Sequence, residues 1–294
     1  EVARCGSIAG AAAALHVAAS AVSRQIAKLE DSLGIVLFER QARGMELSEA
    51  GLQLAAYARA AALEAERVTT EIRRRSALGD VTIRLACSEG FAHRFMPMCM
   101  ADFKQMRPEA RFHLQVDRPE EVIRRILEGL SQIALHYTVA QDDRLKTELL
   151  TRAPVYAVMC RRHPLASRRT VSLRDLAEVP VSVGDTGTTV RQLFDNACAN
   201  AGLHIEPAYV SNNSAAFLPM LPGSDIVALS GYLTVMGQDD AKLVAVPFSN
   251  PEMRQRSIQV VTLQGRTLPP LAREFLEFMA ARLTQAPKAP EGEA

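Results

Sequence analysis

"LHVAASAVSRQIAKLEDSLGIVLFER" (Leu15–Arg40) decides how the chain begins. Within it Val22, Ile26, Leu29 and Leu33 recur at steps of four and three, which is a helical apolar stripe. Ser20, Ser23, Arg24 and Lys28 fall on the other side. Upstream, Ile8, Ala12, Leu15 and Val17 take the spacing of a helix-turn-helix. Small Ala12 lets two helices approach, and Leu15 and Val17 flank a turn occupied by His16, where glycine is common. The polar face would then be the one that enters a major groove by its N-terminal end. Serine reaches bases or phosphates there, and arginine donates to phosphate or guanine.

The stretch ends as such a module should. Gly34 suits a left-handed helix end. "IVLFER" and "MELS" read as two short strands around "QARG", a wing with Arg40 at its base and Arg43 at its tip. Arginines so placed lie along the DNA backbone or enter a minor groove. Ser48 is a candidate cap for the next helix, with Glu49 in its first turn favoured by the helix dipole. No proline follows until well past Ser76, giving a helix of about 42 Å. Leu54, Ala58, Ala61, Ala65, Val68 and Ile72 form a heptad seam with alanine at its middle, suited to close pairing of two copies. Arg73 to Arg75 suit the C-terminal end of that helix.

The totals narrow the function classes. With 294 residues the chain has room for two or three domains. Its net charge of +1 carries no nucleic-acid signal, so any basic patch is local. No run approaches ~18 apolar residues, and no membrane span is expected. The alanine-rich start lacks the leading cationic segment of a secretory signal. Cys5, Cys87, Cys99, Cys160 and Cys198 are dispersed, as expected of reduced thiols in a cytosol. The histidines lack metal-ligand spacing, and there is no Gly-x-Ser-x-Gly, Gly-rich phosphate loop or GxGxxG. No enzyme activity, metal or cofactor is expected.

From Val81 strands and helices alternate, which predicts parallel sheets with crossover helices. Two small α/β lobes result, with the chain crossing between them twice: lobe I at about 80–137 plus 255–285, lobe II at about 138–254. A disordered tail is expected over 286–294. Ligands of such sheets sit at the carboxyl ends of strands, near helix N-termini. Those ends carry Ser88, Asp117 and Arg118, then "GDTGTT" (184–189) with Thr186, Gly187 and Thr188, then Asn212. Hydroxyls and free amides suit a carboxylate or another small anion, with Arg118 adding charge.

"SIAGAAAALHVAASAVSRQIAKLEDSLGIVLFERQARGMELSEAG" (Ser7–Gly51) resembles the winged helix-turn-helix of the LysR family of bacterial transcription regulators. The telling pieces are "AVSRQI", "LE", "LG", "LFER" and "LSEAG", in order and at the family's spacing. The resemblance implies DNA contacts from Ser23 and Arg24 in the recognition helix and from Arg43 in the wing. Where the family has Gln then Pro, this chain has Ala19 and Ser20. The base-reading Gln is therefore missing, and Ser20 is the candidate to take part of its role. The family's first helix begins well before Gly6-Ser7, so most of it is expected to precede Glu1.

The resemblance continues more weakly in "HPLA" (163–166), "VSLRDLAEVPV" (171–181) and the final helix. Departures are Gln132 for the usual Asp, and Ser224 and Asp225 in "LPGSDIVAL" (221–229). The fold implied is α/β in three parts. They are a winged helix-turn-helix (1–47), a linker or dimerisation helix (48–77), and a two-lobed α/β effector domain of the type 2 periplasmic-binding-protein class (80–294). The implied function is a cytoplasmic, ligand-responsive regulator. It would bind an inverted-repeat operator as a homodimer or homotetramer, sense a small anionic metabolite between the lobes, and meet RNA polymerase if it activates. The alternative within the family is a redox sensor acting through Cys198 or Cys160. An enzyme and a transport protein that binds solute are less favoured.

Overall fold

In the computed structural model, which describes residues 1–41, 44–75, 81–235 and 242–285, the chain divides into two units, Glu1–Thr69 and Thr70–Ala294. The first holds α1 (Val2–Cys5), α2 (Ile8–Leu15), α3 (Ala19–Leu33), a hairpin of β1 (Phe38–Gln41) and β2 (Gly44–Leu47), and the start of α4 (Glu49–Arg75). Ser7 caps α2 by accepting the Gly10 amide at 3.1 Å. His16 closes α2 at φ 56°, a left-handed conformation that costs an L-residue roughly 1–2 kcal/mol. Ala18 opens α3 with no side-chain capping bond, and Gly34 ends it at φ 66°. Val2, Ala11, Ala12 and Val22 form the small core, with Ile8, Ile26, Phe38 and Met45 packed on it. Alanine at 11 and 12 keeps α2 close to α3.

The apolar stripe of α3 is only half used. Val22 and Ile26 pack inward, but Leu29 and Leu33 are 43% and 51% exposed, and Leu15 and Val17 flank the turn in solvent. The wing also starts later than "IVLFER" suggests. Glu30 accepts the amides of Leu37 and Phe38 at 2.7 and 3.1 Å, holding the chain out of the ladder until Phe38. Ser48 caps α4 as expected, accepting the Gly51 amide at 3.0 Å and donating to the Val36 carbonyl at 2.7 Å. Gly51 is required by packing: a Cβ there would stand 2.0 Å from the Leu37 carbonyl oxygen.

The second unit contains two five-stranded sheets. The first strands and helices are β3 (Val81–Ser88), α5 (Glu89–Ala92), α6 (Phe95–Met106), β4 (Ala110–Asp117), α7 (Pro119–Leu127), β5 (Ile133–Thr138) and β6 (Leu145–Arg152). Next come β7 (Val155–Cys160), β8 (Val181–Gly184), α8 (Thr189–Ala201), β9 (Tyr209–Ser211), β10 (Val227–Gly231), α9 (Tyr232–Val235) and β11 (Leu243–Pro247). β12 (Ser257–Leu263) and α10 (Pro270–Gln285) close the unit. The sheet orders are β4-β3-β5-β12-β6 and β11-β7-β10-β8-β9.

The second unit departs from the sequence pattern in two places. The sheets are mixed, because β12 runs antiparallel to β5 and β6, and β7 antiparallel to β10 and β11. And β6, placed by sequence with lobe II, belongs to the first sheet through its pairing with β12. β6 lies at the sheet edge with its outer residues in solvent, so its apolar pattern is weak. The chain thus crosses between lobes at Ala153-Pro154 and again between β11 and β12, and the crossings meet where the Ala153 amide donates to the Arg256 carbonyl at 2.9 Å. Each lobe has its own core, with Phe103 and Phe275 edge to face at 5.2 Å in the first and Phe194 and Phe248 buried in the second.

Candidate functional site

α3 presents its polar side as the sequence predicts. Ser20, Arg24 and Lys28 are exposed and Ser23 is half-buried, while Val22 points into the core. Neither Arg24 nor Lys28 has an acidic partner among the described residues, so both charges are available to phosphate. Arg43 and the side chain of Arg40 lie outside the described residues, as does the side chain of Ile72. Of the other seam positions on α4, Leu54 is half-buried and Ala58, Ala61, Ala65 and Val68 are exposed.

In the second unit a cleft of about 510 Å³ opens between the lobes. The parallel strands deliver their carboxyl ends to it: Ser88 from β3, Asp117 from β4, Tyr137 from β5, Gly184 from β8, Ser211 from β9 and Ser230 from β10. Of the residues singled out in the sequence, Ser88, Asp117, Arg118, Thr188 and Asn212 line it. Thr186 and Gly187 do not; they are exposed and form the turn that carries Asp185. Thr188 caps α8, accepting the Arg191 amide at 3.2 Å and donating to the Asp185 carbonyl at 2.8 Å.

Charges around the cleft are mostly paired. Asp117 accepts from Arg125 at 2.8 Å, Glu121 is ion-paired with Arg124, and Arg118 donates to Asp185 at 2.9 Å. Glu89 accepts the Ala215 amide at 3.1 Å. Arg256 differs. It is 1% exposed, its Nε donates to the Ala153 carbonyl at 2.9 Å and its Nη2 to that of Pro154 at 3.1 Å. Its guanidinium lies 4.0 Å from the ring centroid of Tyr137, which stacks on Phe91 at 4.4 Å. Burial pulls the Arg256 pKa below the usual guanidinium range and pushes that of the Tyr137 phenol up. The hydroxyls of Ser88, Ser230 and Tyr137 are buried without a hydrogen-bond partner at normal geometry.

Sequence reasoning did not find Arg256, Tyr137 or Ser230. Arg256 precedes an antiparallel strand, so a search of carboxyl strand ends passes over it. Because β12 runs against β5, its start lies beside the carboxyl end of its neighbour, with Ser257 opposite Thr138.

The family models settle the classification. Residues 1–52 match the "Bacterial regulatory helix-turn-helix protein, lysR family" and residues 78–284 the "LysR substrate binding domain". The chain belongs to the LysR family. It is therefore a DNA-binding transcription regulator with an effector-binding domain. Curated LysR relatives include a probable nitrogen assimilation transcriptional activator of Synechococcus elongatus, 28% identical over 97% of this chain and 93% of that one. Another is the RuBisCO operon transcriptional regulator of Allochromatium vinosum, 26% identical over 96% and 94%. Solved LysR folds extend the likeness. A full-length OxyR variant from Pseudomonas aeruginosa matches with TM-score 0.63 at 18% identity, covering 96% of this chain and 91% of that one. Full-length CbnR in complex with its target DNA matches with TM-score 0.56 at 22% identity, covering 95% and 96%. At these identities the likeness is one of fold.

The remaining chemistry of this LysR chain is spare. All five cysteines are free thiols, and burial pushes Cys87 and Cys99 up to about 12. Among the described residues no group of three or more His, Cys, Asp or Glu could hold a metal ion, and no helix is long and apolar enough to cross a membrane.

Proposed function

We propose that this LysR regulator senses a small anionic metabolite in the cleft between its lobes and passes that signal to DNA bound by α3. The observation that carries the reading is the cleft itself. Both lobes line it, and it holds buried hydroxyls that lack partners. A ligand touching both lobes binds one of their arrangements better than another, and that difference alone is what drives a switch. Ser88, Asp117, Arg118, Thr188 and Asn212 are the effector contacts carried forward from the sequence, with Thr186 and Gly187 at the rim.

On the DNA side, Ser20, Ser23, Arg24 and Lys28 are the groove-facing residues, with Arg40 and Arg43 on the wing. The exposed alanine seam of α4 supports pairing of two copies, which would present two recognition helices to an inverted repeat. RNA polymerase is a partner if the regulator activates. The site of action is the cytoplasm, and the chain catalyses no reaction. The domain limits carried with this reading are 1–47, 48–77 and 80–294.

A redox reading through Cys198 is supported less well. Burial raises its pKa, and reactive cysteines need the thiolate. Cys160 has a lowered pKa through hydrogen bonds with the backbone at Gly223 and Arg162, but it is buried and unpaired.

Footprinting of the full chain on the intergenic DNA beside its own gene tests the DNA side. Two protected half-sites centred a whole number of helical turns apart, each turn about 10–10.5 base pairs, are expected. Protection of a single half-site, or none on DNA that lies beside the gene, would contradict the paired reading.

A further inference from the structure

Arg256 is a buried cleft-lining cation whose hydrogen-bond partners among the described residues are neutral carbonyls. A guanidinium carries five N–H donors. Two of them are used, on the carbonyls of Ala153 and Pro154, and both belong to the other interlobe crossing. A buried cation without a counter-charge is costly, and an anion from outside removes that cost. The surroundings fit such an anion. A Cβ on Gly231 would stand 2.7 Å from the Tyr137 hydroxyl and 2.8 Å from Arg256 Nη2, so glycine at this position lets the end of β10 lie against the phenol and the guanidinium, and all three line the cleft wall. The hydroxyls of Ser88 and Ser230 are also unpartnered in the same cleft.

We propose that Arg256 is the charge-recognising residue of the effector site, and that the effector carries a carboxylate bound by this guanidinium together with the hydroxyls of Ser88, Ser230 and Tyr137. The proposal rests on the reading of the cleft as the effector site. A planar carboxylate matches the fork of a guanidinium in shape, and its single charge balances a single cation. Serine and tyrosine hydroxyls donate to the same oxygens. Because Arg256 also pins the second crossing to the first, the ligand's charge would be read at the hinge between the lobes.

The test is thermal denaturation of the full chain with propionate, succinate and benzoate, each against its neutral amide at equal concentration and ionic strength. At least one acid should raise Tm while its amide does not. Arg256→Gln should weaken that acid about tenfold or more, and Ser230→Ala several-fold. Should Arg256→Gln fail to fold, Ser230→Ala and Tyr137→Phe keep the packing and carry the test. Unchanged acid affinity in both would overturn the proposal. Amides that protect as well as acids, with protection lost in Thr188→Val, would overturn the role of Arg256 and leave the cleft reading standing. No protection by either class would sink the cleft reading and the proposal together.

Discussion

Arg118 donates to Asp185 at 2.9 Å, tying the start of α7 in the first lobe to the turn after β8 in the second. The pair spans the cleft rim, and both side chains are more than a third exposed. It is therefore a latch of low strength, and a ligand carboxylate seeking Arg118 would compete with Asp185. Asp185→Asn should cost less than about 1 kcal/mol in unfolding free energy, and the difference should vanish in high salt. A loss well above that, insensitive to salt, would show that the pair holds the lobes together.

Gly51 tests the packing of the first unit. With the Leu37 carbonyl oxygen 2.0 Å from the place of a Cβ, Gly51→Ala must displace either the wing or α4. The expected cost is roughly 3 kcal/mol, with loss of DNA binding. Circular dichroism melts and mobility shifts of the variant measure both, and wild-type behaviour in either would mean that the Gly51 position tolerates a methyl group.

That glycine also shows how far the sequence was legible. Gly51, Ser48 and Glu30 stand in pieces of a recognisable pattern, and their contacts are local: a cap, a close approach, a carboxylate on two amides. Val22 and Ile26 could be placed by periodicity, but Leu29 and Leu33 could not, because period reports a face and not whether anything covers it. In the second unit the parallel strand ends gave Ser88 and Asp117. Arg256 escaped because it lies among similar arginines, Arg254 included, and its importance comes from a strand that returns antiparallel. β6 escaped because an edge strand needs little hydrophobic pattern.

The turn between α2 and α3 is built from non-ideal residues. Ala18→Ser supplies the missing cap of α3 and should add about 1 kcal/mol. His16→Gly relieves the left-handed strain, partly offset by the greater freedom of unfolded glycine, for a net gain of about 0.5–1 kcal/mol. Hydrogen exchange at the first turn of α3 should slow about fivefold in Ala18→Ser. No change in protection would mean that the α3 start is capped by solvent as well as by serine.

Arg24 is exposed on the polar face of α3 and free of acidic partners among the described residues. Arg24→Ala should weaken binding at all DNA sequences and lower the salt slope by about one unit if the contact is to phosphate. Loss confined to one base position would assign Arg24 to a base edge instead. An unchanged affinity and slope would mean that α3 is not the groove reader.

The proposed function couples a DNA-binding head to a ligand-sensing cleft. Its most direct test is a fluorescence-anisotropy titration of the full chain on the intergenic DNA beside its own gene, with and without pooled small carboxylates. Specific binding whose affinity or protein-to-DNA ratio shifts with at least one pool is the predicted result. Specific binding that no carboxylate pool alters, and that neutral metabolites do not alter either, would contradict the coupling of cleft to DNA.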